Sequence, residues 1–283
     1  MGSIRFWYRE GKIAEISSSV DFLPTLLQDY GNGLHFTWRT SGTRIPFFSD
    51  QFSVMVERLR ASYIESDTGY DQARLKKEIT SLLTRNRIFK GALLHLIFLI
   101  HDKAGSSGSA RLFMTVEYLD EEKFILNTRG LILGKLSEPS VHNDWLITRI
   151  GDFHPMHSVW QQDQKEMNLD AGYLTSNRGK IIECHDAVIF IVQGKRLYTP
   201  AAELGITPRA IRRVILRLAP SLGLETIETG ELEPRHLDVA DEIFIANDQT
   251  GIRWVAGHGQ KRFFRKYSEE LLSVINRDWA EAD

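Results

Sequence analysis

The alternation and spacing of apolar residues predict a chain built from short strands and amphipathic helices. The first 120 residues are predicted to form an opening hairpin, two strands, two helices and two further strands, at residues 4–8 with 12–16, 34–40 and 45–48, 50–64 and 71–83, and 93–100 and 111–118. We expect Ser49 or Asp50 to cap the first helix, because such a side chain accepts a hydrogen bond from the first helical turn.

The alternation typical of strands and the three-to-four-residue spacing typical of helices continue through the second half of the chain. They predict a helix at 156–169, strands at 223–229, 240–247 and 251–255, a turn or short helix at 233–238, and a closing helix at 267–279. Another helix is predicted to start at Thr207 and Pro208, since Thr is a favoured N-cap residue and Pro fits the first turn.

The stretch 174–200 organises this half, because two strand-like apolar runs flank one acidic residue, Glu183. Gly179 and Gly194 mark turns, so the pattern predicts a meander of short strands. A carboxylate at the end of a strand is held by rigid backbone, which suits it to orienting a ligand. A solvent-facing glutamate at a strand end is the alternative interpretation.

Length and composition favour two modest domains. The chain has 283 residues, 42% of them hydrophobic, and we predict an α/β (α+β) architecture with domains at 1–122 and 123–283. Its 35 basic and 37 acidic residues give a net charge of -2, so nothing favours nucleic acid or an anionic membrane as a partner. No apolar run is long enough to cross a bilayer or to act as a signal core, so we expect a cytoplasmic protein. Cys184 is the only cysteine, which excludes an internal disulfide.

Three sequence patterns resemble one known family. Glu183 is followed by a bend, an apolar strand, a Gly-Lys turn and Tyr-Thr-Pro at 198–200; Arg58 stands in an Arg-Leu-x-x-Ser pattern; and 240–244 reads Ala-Asp-Glu-Ile-Phe. In this order they resemble the fold-type IV pyridoxal-phosphate enzymes, which include the class IV, branched-chain and D-amino-acid aminotransferases and the aminodeoxychorismate lyases. The resemblance implies two α/β domains with a ligand cleft between them, a homodimer, and pyridoxal phosphate as cofactor.

The resemblance also implies roles for particular residues. Glu183 would pair with the pyridine nitrogen of the cofactor, so that the ring can act as an electron sink. Arg58 would hold the phosphate, for which a guanidinium offers parallel donors. The backbone amides of Ala210 and Ile211, at the start of a helix, would complete the phosphate site.

Three departures from the family pattern affect the chemistry. Counting back along the predicted helix that precedes the Glu183 strand places the expected Schiff-base lysine near residues 149–151, which are Arg, Ile and Gly. An arginine cannot replace it, because it stays protonated. Arg209 stands where the phosphate turn usually has Gly, and Asp248 stands where a hydroxyl donor usually follows the 240–244 motif. We therefore assign no catalytic residue.

These observations lead to three hypotheses. The first is a divergent class IV aminotransferase-like protein that lacks the lysine and retains a cleft for a phosphorylated or carboxylated small molecule. The second is an active pyridoxal-phosphate aminotransferase or lyase whose lysine is displaced by an insertion, with Lys123, Lys135, Lys165 and Lys180 as the candidates between residues 120 and 183. The third is a structural or interaction protein with a collapsed cleft.

Two histidines, His154 and His157, stand at the predicted edge of the site. Spaced three apart, they can share a helix face and ligate a metal, but no third ligand follows at a supporting spacing, so we predict no metal site. A structural pair, or an imidazole that transfers protons near neutral pH, are the other interpretations.

Overall fold

The computed structural model describes residues 5–9, 11–16, 33–62, 71–101, 109–137 and 155–281. The chain divides into two compact units, each with dense contacts among its own Cα atoms. One unit extends to Lys123, and the second begins at Phe124. Each unit contains its own sheet and helices, so the expected mixture of α and β structure is confirmed. The domain limits of 1–122 and 123–283 remain a proposal.

The first unit contains a five-stranded antiparallel sheet in the order β2-β1-β5-β4-β3. Its strands are β1 (Phe6–Arg9), β2 (Lys12–Glu15), β3 (Gly33–Ser41), β4 (Gly91–His101) and β5 (Ser109–Leu119). The predicted opening hairpin and the three predicted long strands are confirmed. The predicted loop between the last two strands lies outside the described residues.

Two helices cover one face of this sheet, α1 (Phe48–Ala61) and α2 (Gln72–Arg85). Leu34, Phe36 and Trp38 of β3 alternate toward these helices and pack in one core with side chains from both. Asp71 caps α2 by accepting a hydrogen bond from the Arg74 amide at 2.7 Å.

The predicted start of α1 is wrong. The helix begins at Phe48, its N-cap residue is Phe47, and no side chain caps it. The predicted strand at 45–48 is absent as well, because Pro46 and Phe47 form a turn and Phe47 adopts a left-handed conformation with φ of 55°. That turn brings the backbone directly into the helix, where the Gln51 amide donates to the Phe47 carbonyl at 3.0 Å.

The second unit contains a larger mixed sheet in the order β11-β10-β9-β12-β13-β6-β7-β8, with β14 paired to β13. Its strands are β6 (Leu131–Lys135), β7 (Ala171–Thr175), β8 (Ile181–Cys184), β9 (Val188–Gln193), β10 (Arg196–Pro200), β11 (Glu225–Thr229), β12 (Glu242–Asn247), β13 (Gly251–His258) and β14 (Lys261–Arg262). The short strands predicted around Glu183 are confirmed as β8, β9 and β10, but the predicted meander is not: β9 pairs with β10 and β12, whereas β8 pairs with β7.

The helices of the second unit are α3 (Pro155–Glu166), α4 (Ala210–Leu218), α5 (Pro234–Val239) and α6 (Tyr267–Glu281), with 3-10 helices at Ala202–Leu204 and Ala219–Leu222. Buried Glu242 of β12 holds the start of α6: its carboxylate accepts the amides of Lys266, Tyr267 and Ser268 at 3.1, 2.7 and 2.8 Å. Because those first amides have no partner within the helix, the strand fixes where the helix starts.

None of the helices in the described ranges is long and apolar enough to cross a membrane.

Candidate functional site

Glu183, the residue expected to orient a ligand, lies inside the second unit. It belongs to β8 and is only 4% exposed, so the solvent-facing interpretation is wrong. Thr207 donates to both oxygens of the Glu183 side chain, through its amide to Oε2 at 3.1 Å and through its hydroxyl to Oε1 at 3.0 Å. The protein's own donors therefore hold this carboxyl group.

The surroundings of Glu183 also change its acidity. Burial raises the pKa of the Glu183 carboxyl group, while the charge of Arg209 and the two hydrogen bonds from Thr207 lower it by a smaller amount. A carboxyl group whose charged form is disfavoured is a weaker ionic partner for a protonated ring nitrogen.

The two amides expected to bind a phosphate, those of Ala210 and Ile211, belong to the first residues of α4. The Ile211 amide donates to the Asp248 carboxylate at 2.6 Å. A negative charge is favourable at a helix N-terminus, which carries a partial positive charge and amides without partners within the helix. Asp248 therefore takes a place that a bound anion would otherwise use.

The prediction that Thr207 caps this helix is wrong. The N-cap residue of α4 is Arg209, and no side chain caps it by a hydrogen bond. The physical reason is that the Thr207 hydroxyl and amide already bind Glu183, two residues before the N-cap. Arg209 itself is half-buried, and its Nε has no hydrogen-bond partner among the described residues.

Arg58, the other expected phosphate ligand, lies on α1 in the first unit. Its side chain is buried, and the central guanidinium carbon lies 4.9 Å from the centroid of the Phe36 ring. The opposite face of β3 carries His35, whose Nε2 lies 3.0 Å from Nδ1 of His95 on β4. Burial lowers the pKa of His95, and the nearby Glu117 opposes that shift. The role of Arg58 in binding a phosphate stays a prediction.

The residue pair His154 and His157 is only partly within the described ranges, because His154 lies outside them. His157, on α3, approaches the His185 ring at a centroid distance of 5.7 Å, and the Trp160 ring packs edge-on against both imidazoles. His185 and Asp186 form the turn between β8 and β9, directly after Glu183 and Cys184. The sequence analysis missed this cluster, although the adjacent His-Asp pair was a visible signal.

The lysines that could replace the expected Schiff-base residue are poorly placed for that role. Lys123, Lys135 and Lys165 are exposed, and Lys180 bonds to Glu231 and Glu233. Those hydrogen bonds raise the pKa of Lys180, which keeps its amine protonated and non-nucleophilic. The expected position near residues 149–151 lies outside the described residues, and the segment 138–154 contains no lysine.

The family model for amino-transferase class IV matches residues 37–257, which is most of the chain. The chain belongs to the class IV aminotransferase family. A comparison with curated protein sequences gives no match.

Several solved structures of this family share the fold. The branched-chain aminotransferase of the archaeon Thermoproteus uzoniensis, with norvaline, has a TM-score of 0.82 and 16% identity, over 96% of this chain and 94% of that chain. The PLP form of the Thermobaculum terrenum enzyme also has a TM-score of 0.82, at 15% identity over 100% and 96%. The Escherichia coli enzyme has 0.80, at 14% identity over 99% and 96%. The expected fold-type IV architecture is thereby confirmed.

The residues of this family member do not fit pyridoxal phosphate in the way that the family pattern implies. The carboxylate of Asp248 already binds an amide at the start of α4, and a phosphate dianion there would be repelled by it. The carboxyl group of Glu183, which the family pattern pairs with the ring nitrogen, accepts hydrogen bonds from the amide and hydroxyl of Thr207. Both anchor positions in the second unit are thus satisfied within the protein.

Proposed function

We propose that this chain is a class IV aminotransferase-like pseudoenzyme, one that does not catalyse lysine-dependent transamination. The support from the sequence is the run Arg-Ile-Gly at 149–151, where the family pattern expects the lysine. The support from the structure is that the four alternative lysines are exposed or ion-paired. An amine in either state lacks the desolvated surroundings that keep a catalytic lysine uncharged.

The observation that carries this proposal is the 2.6 Å hydrogen bond from the Ile211 amide to Asp248. An aminotransferase needs this helix N-terminus for its cofactor, because the phosphate holds the cofactor while its other end reacts. Two negative groups about 4 Å apart near a protein surface repel by roughly 4 kcal/mol, which is about a thousandfold in affinity. A carboxylate at this position therefore replaces the phosphate rather than assisting it.

We infer that the protein binds a small carboxylated molecule rather than the cofactor, at a cavity that the expected cofactor residues do not line. A polar cavity of about 200 Å³ lies in the second unit, lined by side chains from α3, from the β8–β9 turn and from β13. Arg253 supplies a positive charge at this cavity, and Gln161, Gln164, Asn247 and Thr250 supply neutral hydrogen-bonding groups. Two carboxylates also line it, Asp186 and Asp170, and Asp170 already accepts the Ile132 amide and pairs with Arg129. A phosphorylated ligand at the start of α4 fits less well, since Asp248 already accepts the Ile211 amide there.

One panel of amino and keto acids tests both parts of this proposal. With pyridoxal phosphate added, we expect no keto acid formation above the background of free cofactor. Without cofactor, we expect at least one carboxylate of the panel to raise the unfolding temperature with increasing concentration, because a ligand that binds only the folded state stabilises it.

The matched variant for this panel is Arg253→Gln, which removes the positive charge from the cavity and keeps a polar side chain. It should lose the ligand-dependent stabilisation and keep the unfolding temperature of the free protein. Turnover above the cofactor background would overturn the pseudoenzyme assignment. The binding assignment alone would be overturned if no carboxylate of the panel stabilised the wild type. It would also be overturned if the stabilising carboxylate raised the unfolding temperature of Arg253→Gln by the same amount.

A further inference from the structure

The turn after Glu183 brings three metal-ligating side chains together. The ligand atoms of His157, His185 and Asp186 all lie within 4.8 Å of one another. His157 comes from α3, whereas His185 and Asp186 come from the β8–β9 turn, so two separate elements build the cluster. We propose that His157, His185 and Asp186 form a binding site for one divalent transition-metal ion of the zinc class. This site lies in the cavity proposed above for a carboxylated ligand, and a titration with the metal alone tests it separately.

The spacing of the donors suits such an ion. His185 Nε2 and Asp186 Oδ2 are 3.6 Å apart. Two donors of a tetrahedral zinc ion, each about 2.1 Å from the metal, are separated by roughly 3.4 Å. These two residues therefore need almost no rearrangement, and the His157 ligand atom, within 4.8 Å of both, would complete the set by moving closer to them.

The state of His185 points to a missing partner. Its side chain is only 10% exposed, and its Nε2 has no hydrogen-bond partner among the described residues, although the Asp186 carboxylate lies nearby. A buried imidazole nitrogen without a hydrogen bond is costly, and a metal ion would satisfy it. The Trp160 ring packs against both imidazoles and limits their orientations.

The backbone of the turn explains how it presents two adjacent ligands. Asp186 has φ of 59°, a left-handed conformation that Asp adopts more readily than most residues. The turn closes through a bridge between Cys184 and Ala187, which leaves only His185 and Asp186 at its tip. Both residues line the polar cavity of about 200 Å³.

The cavity gives the ion an open position. A zinc ion with three protein ligands keeps a fourth site for water or for an oxygen of a ligand. Burial lowers the pKa of His185, and the charge of Arg209, which lowers it slightly further, also acts against cation binding. The carboxylate of Asp186 offsets that charge, so we expect Asp186 to be essential for affinity.

The test uses the full-length, tag-free protein, stripped of metal and titrated with Zn²⁺ and, for its visible absorption, with Co²⁺. We expect saturable binding of one ion per chain. Asp186→Gly, which tolerates the left-handed turn, and His185→Gln should each weaken binding at least tenfold, because each removes a direct ligand. At a given concentration, Zn²⁺ should raise the unfolding temperature of the wild type more than that of these two variants.

A second His-Asp pair provides the matched control. His258 Nδ1 and Asp238 Oδ1 are also 3.6 Å apart, in the same unit. Asp238→Asn and His258→Gln should leave the affinity for Zn²⁺ at the wild-type value. Absence of saturable binding in the wild type would overturn the proposal. Equal losses in the control variants, or full affinity in a folded Asp186→Gly protein, would overturn it as well.

Discussion

Replacing Glu242 by alanine is expected to lower the free energy of unfolding by about 3 kcal/mol. The side chain is 3% exposed and accepts three amides at the start of α6, those of Lys266, Tyr267 and Ser268. Each buried donor left without a partner costs about 1–3 kcal/mol, and water reaching the Lys266 end of the helix recovers part of the loss. Alanine offers no acceptor for the three amides, so β12 and α6 would lose the hydrogen bonds that join them.

Urea denaturation of the two proteins measures this loss directly. The neighbouring substitution Asp241→Ala is the control, since the exposed Asp241 carboxylate accepts a single amide, that of Gly194. We expect that variant to lose no more than about 1 kcal/mol. If Glu242→Ala proved as stable as Asp241→Ala, the α6 amides would have other acceptors and the structural role of Glu242 would be wrong.

Replacing Asp248 by threonine is expected to create a phosphate-binding site. The substitution removes the carboxylate that accepts the Ile211 amide and supplies the hydroxyl that the family pattern carries at this place. Removing a negative charge about 4 Å from a bound anion recovers roughly 4 kcal/mol at an effective dielectric constant near 20. After allowance for screening and for imperfect geometry, the affinity for inorganic phosphate should rise at least tenfold.

Isothermal titration calorimetry with inorganic phosphate measures this gain in affinity. Asp163→Thr is the matched control, because Asp163 also accepts one backbone amide at 2.6 Å, that of Ser137, but not at the start of a helix. It should bind phosphate no better than the wild type. A folded Asp248→Thr protein without any gain would show that Asp248 is not what keeps anions away from α4.

Most of the fold could be predicted from apolar periodicity, because the strands and helices bury one face each. The errors concern the starts of two helices and the strand predicted at 45–48. A side chain that could cap a helix is visible in the sequence at Ser49 and Thr207, but its hydroxyl can bind elsewhere. Phe47 enters α1 through a left-handed turn, and Thr207 binds Glu183 instead of the first turn of α4. Such competition is decided by tertiary contacts.

The candidate site was predictable only in part, for the same reason. Glu183 was identified from its position at the end of a predicted strand, and Asp248 from its place in the family pattern. Their partners, Thr207 and Ile211, are 24 and 37 residues away and meet them only in the folded chain. His157 likewise reaches the His185–Asp186 turn only because α3 packs beside β7 and β8.

The motif at 240–244 illustrates the limit of a specific pattern. It identifies the family correctly, yet its two acidic residues serve the fold. Asp241 accepts the amide of Gly194 in the β9–β10 turn, and Glu242 anchors α6. A sequence can therefore keep this motif intact while the residues of the cofactor site change.

Borohydride reduction in the presence of pyridoxal phosphate, followed by mass mapping of every lysine, tests the central claim most directly. For this protein we expect no absorbance band of a protein-bound cofactor, and only weak labelling spread over exposed lysines in proportion to the reagent. One lysine labelled to one equivalent per chain, with a saturable absorbance band that borohydride removes, would contradict the account.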